Sequence, residues 1–200
     1  DGLTIETTID SKAQQRLYDI VNTNDYIQYV NEKIQNAVVM LDTKTGAVRA
    51  VNGGRKQTTL LGYNRATDNT RSTGSTIKPV IDYGPAIEYL NYSTGQTIMD
   101  QRTTYSNGVE LNNWDFSHKG AMTLRTALVY SRNTTALQTF KAVGETNIKS
   151  FLNNLDIQIK NDGQDYLVES NSIGADISPI KMAAAYATFG NYGTYSKPYT

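Results

Sequence analysis

The chain has 200 residues, and Lys plus Arg balance Asp plus Glu at 19 each. That neutral balance, with no basic run, argues against a nucleic-acid partner. The absence of cysteine and the single histidine, His118, exclude disulfides, thiolate chemistry and a multi-histidine metal site, and leave a Ser-His-Asp triad one possible base.

This length suffices for one domain with a core, or one domain and part of a second. Leu3–Ile9 alternates and is rich in β-branched residues, which predicts a strand. Asp10 then caps a helix with Ala13, Leu17, Ile20 and Val21 on one face. The start of the chain, Asp1 running straight into strand-like sequence, predicts a piece of a longer protein, and no apolar run is long enough to span a bilayer. Two apolar runs, 37–42 and 47–51, flank Thr43-Lys44-Thr45-Gly46 and predict a hairpin, with Gly46 as the left-handed turn residue. A polar stretch rich in Thr, Asn, Gly and Arg, 55–73, reads as a long loop.

The next segment, Gly74-Ser75-Thr76-Ile77-Lys78-Pro79, carries the chemistry. It predicts a helix start with a nucleophilic serine and a lysine one turn on, on the same face. A serine hydroxyl needs a base, and lysine can be that base only if its pKa falls. Burial and the positive end of a helix both push it down. The Ser75 N–H, unpaired in a first turn, can help hold an oxyanion. Val80, Ile81, Tyr83, Ala86, Ile87 and Leu90 recur at helical spacing and seat the helix in a core. A second Ser-x-x-Lys, Ser178-Pro179-Ile180-Lys181, is explained by a serine N-cap with proline at N1 of the last helix.

Residues 91–121 read as irregular and hold Asn112-Asn113-Trp114-Asp115 and His118. The single Trp114 is either a packing anchor or part of a cleft wall. His118, between Ser117 and Lys119, reads as exposed and idle. Thr123 caps a helix over 124–130, and Ser131-Arg132-Asn133 breaks the pattern. Asn133 then caps a helix that Gly144 ends, and Thr146 caps another. A corner between two helices is a rigid place from which to aim polar side chains. The Asn133 amide suits a substrate peptide bond, and the Ser131 hydroxyl can relay a proton to or from Lys78.

In that order, Ser75-x-x-Lys78 and then Ser131-x-Asn133, the chain resembles the penicillin-binding transpeptidases of the serine β-lactam-recognising superfamily, whose signature continues with Lys-Thr-Gly on a later strand. Further stretches carry the resemblance: Thr7-Thr8-Ile9-Asp10 with Gln14, Leu41–Val48 followed by Gly53-Gly54, Asn64-Arg65-Ala66, Asn113-Trp114, and Ala183–Ala187 with Asn191-Tyr192-Gly193. It is closest to the transpeptidase domain of bifunctional, class A, penicillin-binding proteins of Gram-positive type. Lys44-Thr45-Gly46 spells the third motif but precedes Ser75, and it is read as a hairpin turn rather than a catalytic element.

The resemblance implies an α+β fold, an antiparallel sheet flanked by helices, incomplete in this piece, with residues 1–200 forming a transpeptidase domain that lacks its C-terminal strands. It implies that the rest of the domain exists, as a separate chain or as further residues, since the hairpin strands alone would leave an open edge. It places a glycosyltransferase domain and membrane anchor upstream, and the protein at the extracytoplasmic face of the bacterial membrane. The implied substrate is the D-Ala-D-Ala end of a peptidoglycan stem peptide. Ser75 is then the nucleophile, Lys78 its base, neutral at rest, and Ser131 the relay, with Asn133 and Trp114 holding substrate. No cofactor or metal is implied. β-Lactam antibiotics would acylate Ser75. A β-lactam-hydrolysing or β-lactam-sensing relative and a noncatalytic peptidoglycan-binding module are the alternatives.

Overall fold

The computed structural model describes residues 2–68 and 70–200; Asp1, and Asn69 within the expected long loop, lie outside them. The chain divides into two compact units, 1–70 with 177–200, and 71–176.

In the first unit α1 (Ser11–Asn22) starts where expected, with the Asp10 carboxylate accepting from the Lys12 and Ala13 N–H groups. The hairpin forms as β1 (Val38–Leu41) and β2 (Val48–Asn52), antiparallel with a bulge at Met40/Leu41. Its turn is held by the Asp42 carboxylate, which accepts from the Lys44 and Thr45 N–H groups, and by Gly46 at φ +79°. Lys44-Thr45-Gly46 is therefore turn. Leu3–Ile9 forms no strand: Leu3 and Ile5 are 90% and 78% exposed. The β2 edge that could have paired with it is occupied by single contacts instead. The Gln14 side chain mimics a strand residue, donating to Val51 O and accepting from Val51 N–H, both at 2.9 Å. Asp10 N–H donates to Arg49 O, and Val48 N–H to Tyr199 O. The last helix, α6 (Pro179–Gly190), packs on β1.

The second unit opens with β3 (Arg71–Ser72) and holds the Ser75 segment. Where one α-helix is expected, three helical forms follow one another: a 3-10 turn at Gly74–Ile77, a π-helical turn at Pro79–Tyr83, and α2 (Gly84–Leu90). Proline supplies no N–H, which disturbs the regular ladder just where the winding changes. Gly84 is required by close approach: a Cβ there would lie 2.6 Å from Pro79 O and 2.8 Å from Phe151 Cζ. Region 91–121 is not irregular. β4 (Thr97–Asp100) pairs with β7 (Gly120–Thr123), and β5 (Thr103–Thr104) with β6 (Glu110–Leu111), all antiparallel. These strands are too short and polar to show in periodicity.

α3 (Leu124–Val129), capped by the Thr123 hydroxyl as expected, is followed by α4 (Asn133–Val143), which Gly144 ends, and α5 (Glu145–Asn154). Thr146 lies inside α5 and caps nothing; Gly144 occupies the N-cap. The core of this unit is α4, with Ala136, Leu137 and Phe140 buried, against the turn holding the buried Val80 and Ile81 and against α5 with the buried Ile148 and Leu152. The result is a mixed helix-and-sheet fold whose strands occur as small antiparallel pairs. No helix among the described residues is long and apolar enough to cross a membrane.

Candidate active site

Gly74 takes φ +53°, with nothing within 4 Å of a Cβ there, so glycine is needed for the backbone angle and not for space. The chain then winds as a 3-10 turn, in which residues three apart eclipse. That stacks Ser75 and Lys78, and Lys78 N–H donates to Ser75 O. The two side chains part in character. Ser75 is exposed, with no hydrogen bond to its hydroxyl among the described residues. Lys78 is fully buried.

The Lys78 ammonium meets the second motif. Nζ donates to Ser131 O at 2.8 Å, to Ser131 Oγ at 3.2 Å and to Asn133 Oδ1 at 2.8 Å. Burial pushes its pKa down to about 8; Asp82 opposes this and Arg132 adds to it. A value lowered that far brings the amine form of Lys78 within reach near neutral pH.

The Ser131 corner follows from how α3 ends. Ser131 N–H donates to Leu128 O and Arg132 N–H to Ala127 O, both 2.9 Å, the paired bonds of a Schellman stop. Such a stop wants glycine at its left-handed residue, and Ser131 sits there at φ +51°. The strain, about 1 kcal/mol for a serine, keeps a hydroxyl beside Lys78 where glycine would have none.

Asn133 does not cap α4; it is the first residue of the helix. The cap comes from Asn113, whose Oδ1 accepts from the Asn133 N–H at 2.7 Å and the Thr134 N–H at 3.3 Å. This frees the Asn133 amide, whose Nδ2 donates to Asn112 O at 2.9 Å while Oδ1 faces Lys78. The middle residue, Arg132, is 1% exposed. Its Nε donates to Asp100 Oδ2 at 2.7 Å, Nη1 to both Asp115 oxygens at 3.0 Å, and Nη2 to Ser117 O. Asp100 also accepts from Thr134 Oγ1, Asn113 Nδ2 and the Lys119 N–H. Burial pushes its carboxyl up, but these donors and the Arg132 charge outweigh it and leave it below the usual range. The hydrogen bonds of Ser117 and Arg132 hold Asp115 lower still. His118 is not fully exposed: its side chain is 26% exposed, with Nδ1 3.8 Å from Asp100 Oδ1 and no hydrogen-bond partner for that nitrogen among the described residues.

Trp114 is 68% exposed, which excludes a packing anchor. Its Nε1 donates to Tyr130 O at 3.1 Å, and with Tyr130, Met122 and Arg132 it lines a cavity of about 480 Å³. The sequence reading passed over Arg132, Asp100, Asp115 and Asp82. The available signal was an arginine inside a Ser-x-Asn corner preceded by two aspartates, which matters only once the arginine is known to be buried. Asp82 is fully buried, and neither carboxylate oxygen has a hydrogen-bond partner. Burial pushes its pKa well up, against the pull of Lys78. Among the described residues no group of three or more His, Cys, Asp or Glu side chains is placed to hold a metal ion.

The turn thus holds an exposed serine and, three residues on, a buried lysine bonded to the Ser131–Asn133 corner. Residues 36–200 match the family model described as the penicillin binding protein transpeptidase domain, and the chain belongs to that family. It is 43% identical to penicillin-binding protein 1A/1B of Bacillus subtilis over 204 residues, covering 100% of this chain and 22% of that protein. It is 40% identical to penicillin-binding protein 1A of Streptococcus oralis over 205 residues, covering 98% of this chain and 32% of that protein. The solved structure of PonA1 from Mycobacterium tuberculosis in complex with penicillin V aligns at TM-score 0.80 and 25% identity, over 99% of this chain and 54% of that one. The chain thus spans between about a fifth and a third of the length of these two curated relatives.

Proposed function

We propose that this chain carries the nucleophile, base and relay of a peptidoglycan DD-transpeptidase that works through a serine acyl-enzyme. The observation that carries the reading is the convergence of Lys78 Nζ, one turn on from Ser75, on Ser131 and Asn133 at 2.8 to 3.2 Å. In the reaction the Ser75 proton passes to the amine form of Lys78. Ser75 Oγ bonds to the penultimate D-Ala carbonyl carbon of a stem peptide. The C–N bond breaks, and the leaving D-Ala amine takes the proton from Lys78 through the Ser131 hydroxyl. An acceptor amine of a neighbouring stem then attacks the ester, its proton returns along the same route, and Ser75 is released with a crosslink formed. Water in place of that amine gives carboxypeptidase activity. Asn133 orients the substrate peptide, and Trp114 forms part of the cleft wall.

β-Lactams acylate the same hydroxyl. A transpeptidase of this kind needs a third-motif strand with a second oxyanion N–H to complete its site, and we place the activity in a class A protein with a glycosyltransferase domain and an anchor at the extracytoplasmic membrane face.

Intact-mass measurement of the full-length protein after benzylpenicillin tests the reading. A stable one-to-one adduct on the Ser75 peptide, absent from Ser75→Ala, is expected. An adduct that survives Ser75→Ala, or rapid turnover of a chromogenic cephalosporin, would overturn it.

A further inference from the structure

The motif Ser131-x-Asn133 leaves its middle position open, yet here that position holds the largest fully buried side chain of the described residues. An arginine is taken out of water only at a high cost, which partners must offset. Arg132 has them on every side: Asp100 on Nε, Asp115 on Nη1 and Ser117 O on Nη2. The same Asp100 bonds Asn113, which caps α4, and Thr134, the second residue of that helix. Both residues flanking Arg132 touch Lys78, and one of them is strained. A strained serine persists only where its surroundings over-determine it.

We propose that Arg132 is a positioning residue for acyl transfer: its buried guanidinium, clamped by Asp100 and Asp115, locks the Ser131–Asn133 corner onto Lys78 and brings a fixed positive charge into that corner. The proposal rests on the reading of Ser75 and Lys78 as nucleophile and base. The charge of Arg132 opposes protonation of Lys78, whereas Asp82 favours it. The other ionisable groups nearby are Asp100, Asp115 and His118, the last 3.8 Å from Asp100. Glu88 on α2 is exposed. Lys141 pairs with Glu169, and Lys149 with Glu145, toward solvent.

The test is the pH dependence of acylation by benzylpenicillin in the full-length protein, compared among variants. Arg132→Lys keeps the charge and loses the planar fork. It is expected to slow acylation about 10- to 100-fold while its acid limb stays at the wild-type pH. Arg132→Met loses both, and its limb moves up by about half a pH unit or more. Asp115→Asn removes the counter-charge and moves the limb down; that sign carries the test if Arg132→Met does not fold. An unmoved limb in the folded charge-changing variants makes Arg132 purely structural and overturns the proposal, as do wild-type rates in both Arg132 variants. His118→Gln is expected to keep the limb, and loss of the limb there would overturn its assignment to Lys78. Ser75→Ala separates the two readings: acylation that persists sinks the nucleophile assignment, whereas acylation lost there but unaltered by Arg132 variants sinks only this one.

Discussion

The chain contains the tetrad Ser-x-x-Lys twice, and the two copies have become different objects. At Ser178 the residues open a regular α-helix: Ser178 sits at the N-cap position with Pro179 at N1, although its hydroxyl makes no capping bond. At Ser75 the residues wind as a 3-10 turn, and Pro79 follows the lysine instead of preceding it. Lys181 is half-buried, while Lys78 is fully buried and surrounded by three acceptors from one corner. Identical spacing therefore does not make a base. Burial depresses the lysine, and a second segment must arrive to receive it.

The largest effect expected from that contrast is at the serines. Ser75→Ala should lower benzylpenicillin acylation by at least ~10³-fold, and Ser178→Ala should leave it within about twofold, both read by intact mass over time. If the two behave alike, the comparison fails.

Next come the lysines. Lys78→Met should cost on the order of 10² to 10⁴ in acylation rate, and Lys181→Met should cost nothing measurable. In the wild type only the amine form acts, so the rate should climb as pH rises toward about 8 and level off above it. A flat profile would break the assignment of Lys78 as base.

Ser131→Gly sharpens the comparison from the corner side. Glycine relieves the left-handed strain at φ +51°, so stability should rise by about 1 kcal/mol, read by denaturant melts. Acylation should fall, because the hydroxyl beside Lys78 is gone. Gain of stability with loss of rate is the signature of strain kept for function.

The smallest effect concerns Asp82. Its folded-state carboxyl lies above the unfolded value, so its favourable contribution is present at acid pH and is lost as pH rises through the raised folded-state value. Asp82→Asn removes that dependence. Relative to wild type, its melting temperature should rise from pH about 4 to pH about 8; an unchanging difference would mean the carboxyl is not raised.

Much of this was legible in order and spacing. The hairpin around Gly46, the Asp10 and Thr123 caps and the Gly144 stop depend on local rules, which act between residues a few positions apart, whereas the pairing of Ser75-x-x-Lys78 with Ser131-x-Asn133 was legible only in the order of two motifs that resemble the family's. The errors fall where a distant segment overrules the local preference. Leu3–Ile9 has strand composition, but the β2 edge is taken by Gln14 and Tyr199. Asn133 looks like a cap, but Asn113 caps the helix from across the fold and releases the Asn133 amide toward Lys78.

By itself, the sequence determined the turns and most of the helix ends, because each is set by backbone angles and side-chain types within a turn or two, and it named the Ser75, Lys78, Ser131 and Asn133 side chains as the candidates for the chemistry. Only the tertiary structure decided which lysine is buried and depressed, that the middle residue of the second motif is clamped by two aspartates, and that the Asp82 carboxylate has no hydrogen-bond partner among the described residues. Those are properties of burial and of charges brought together over tens of residues, and no short window of sequence contains them.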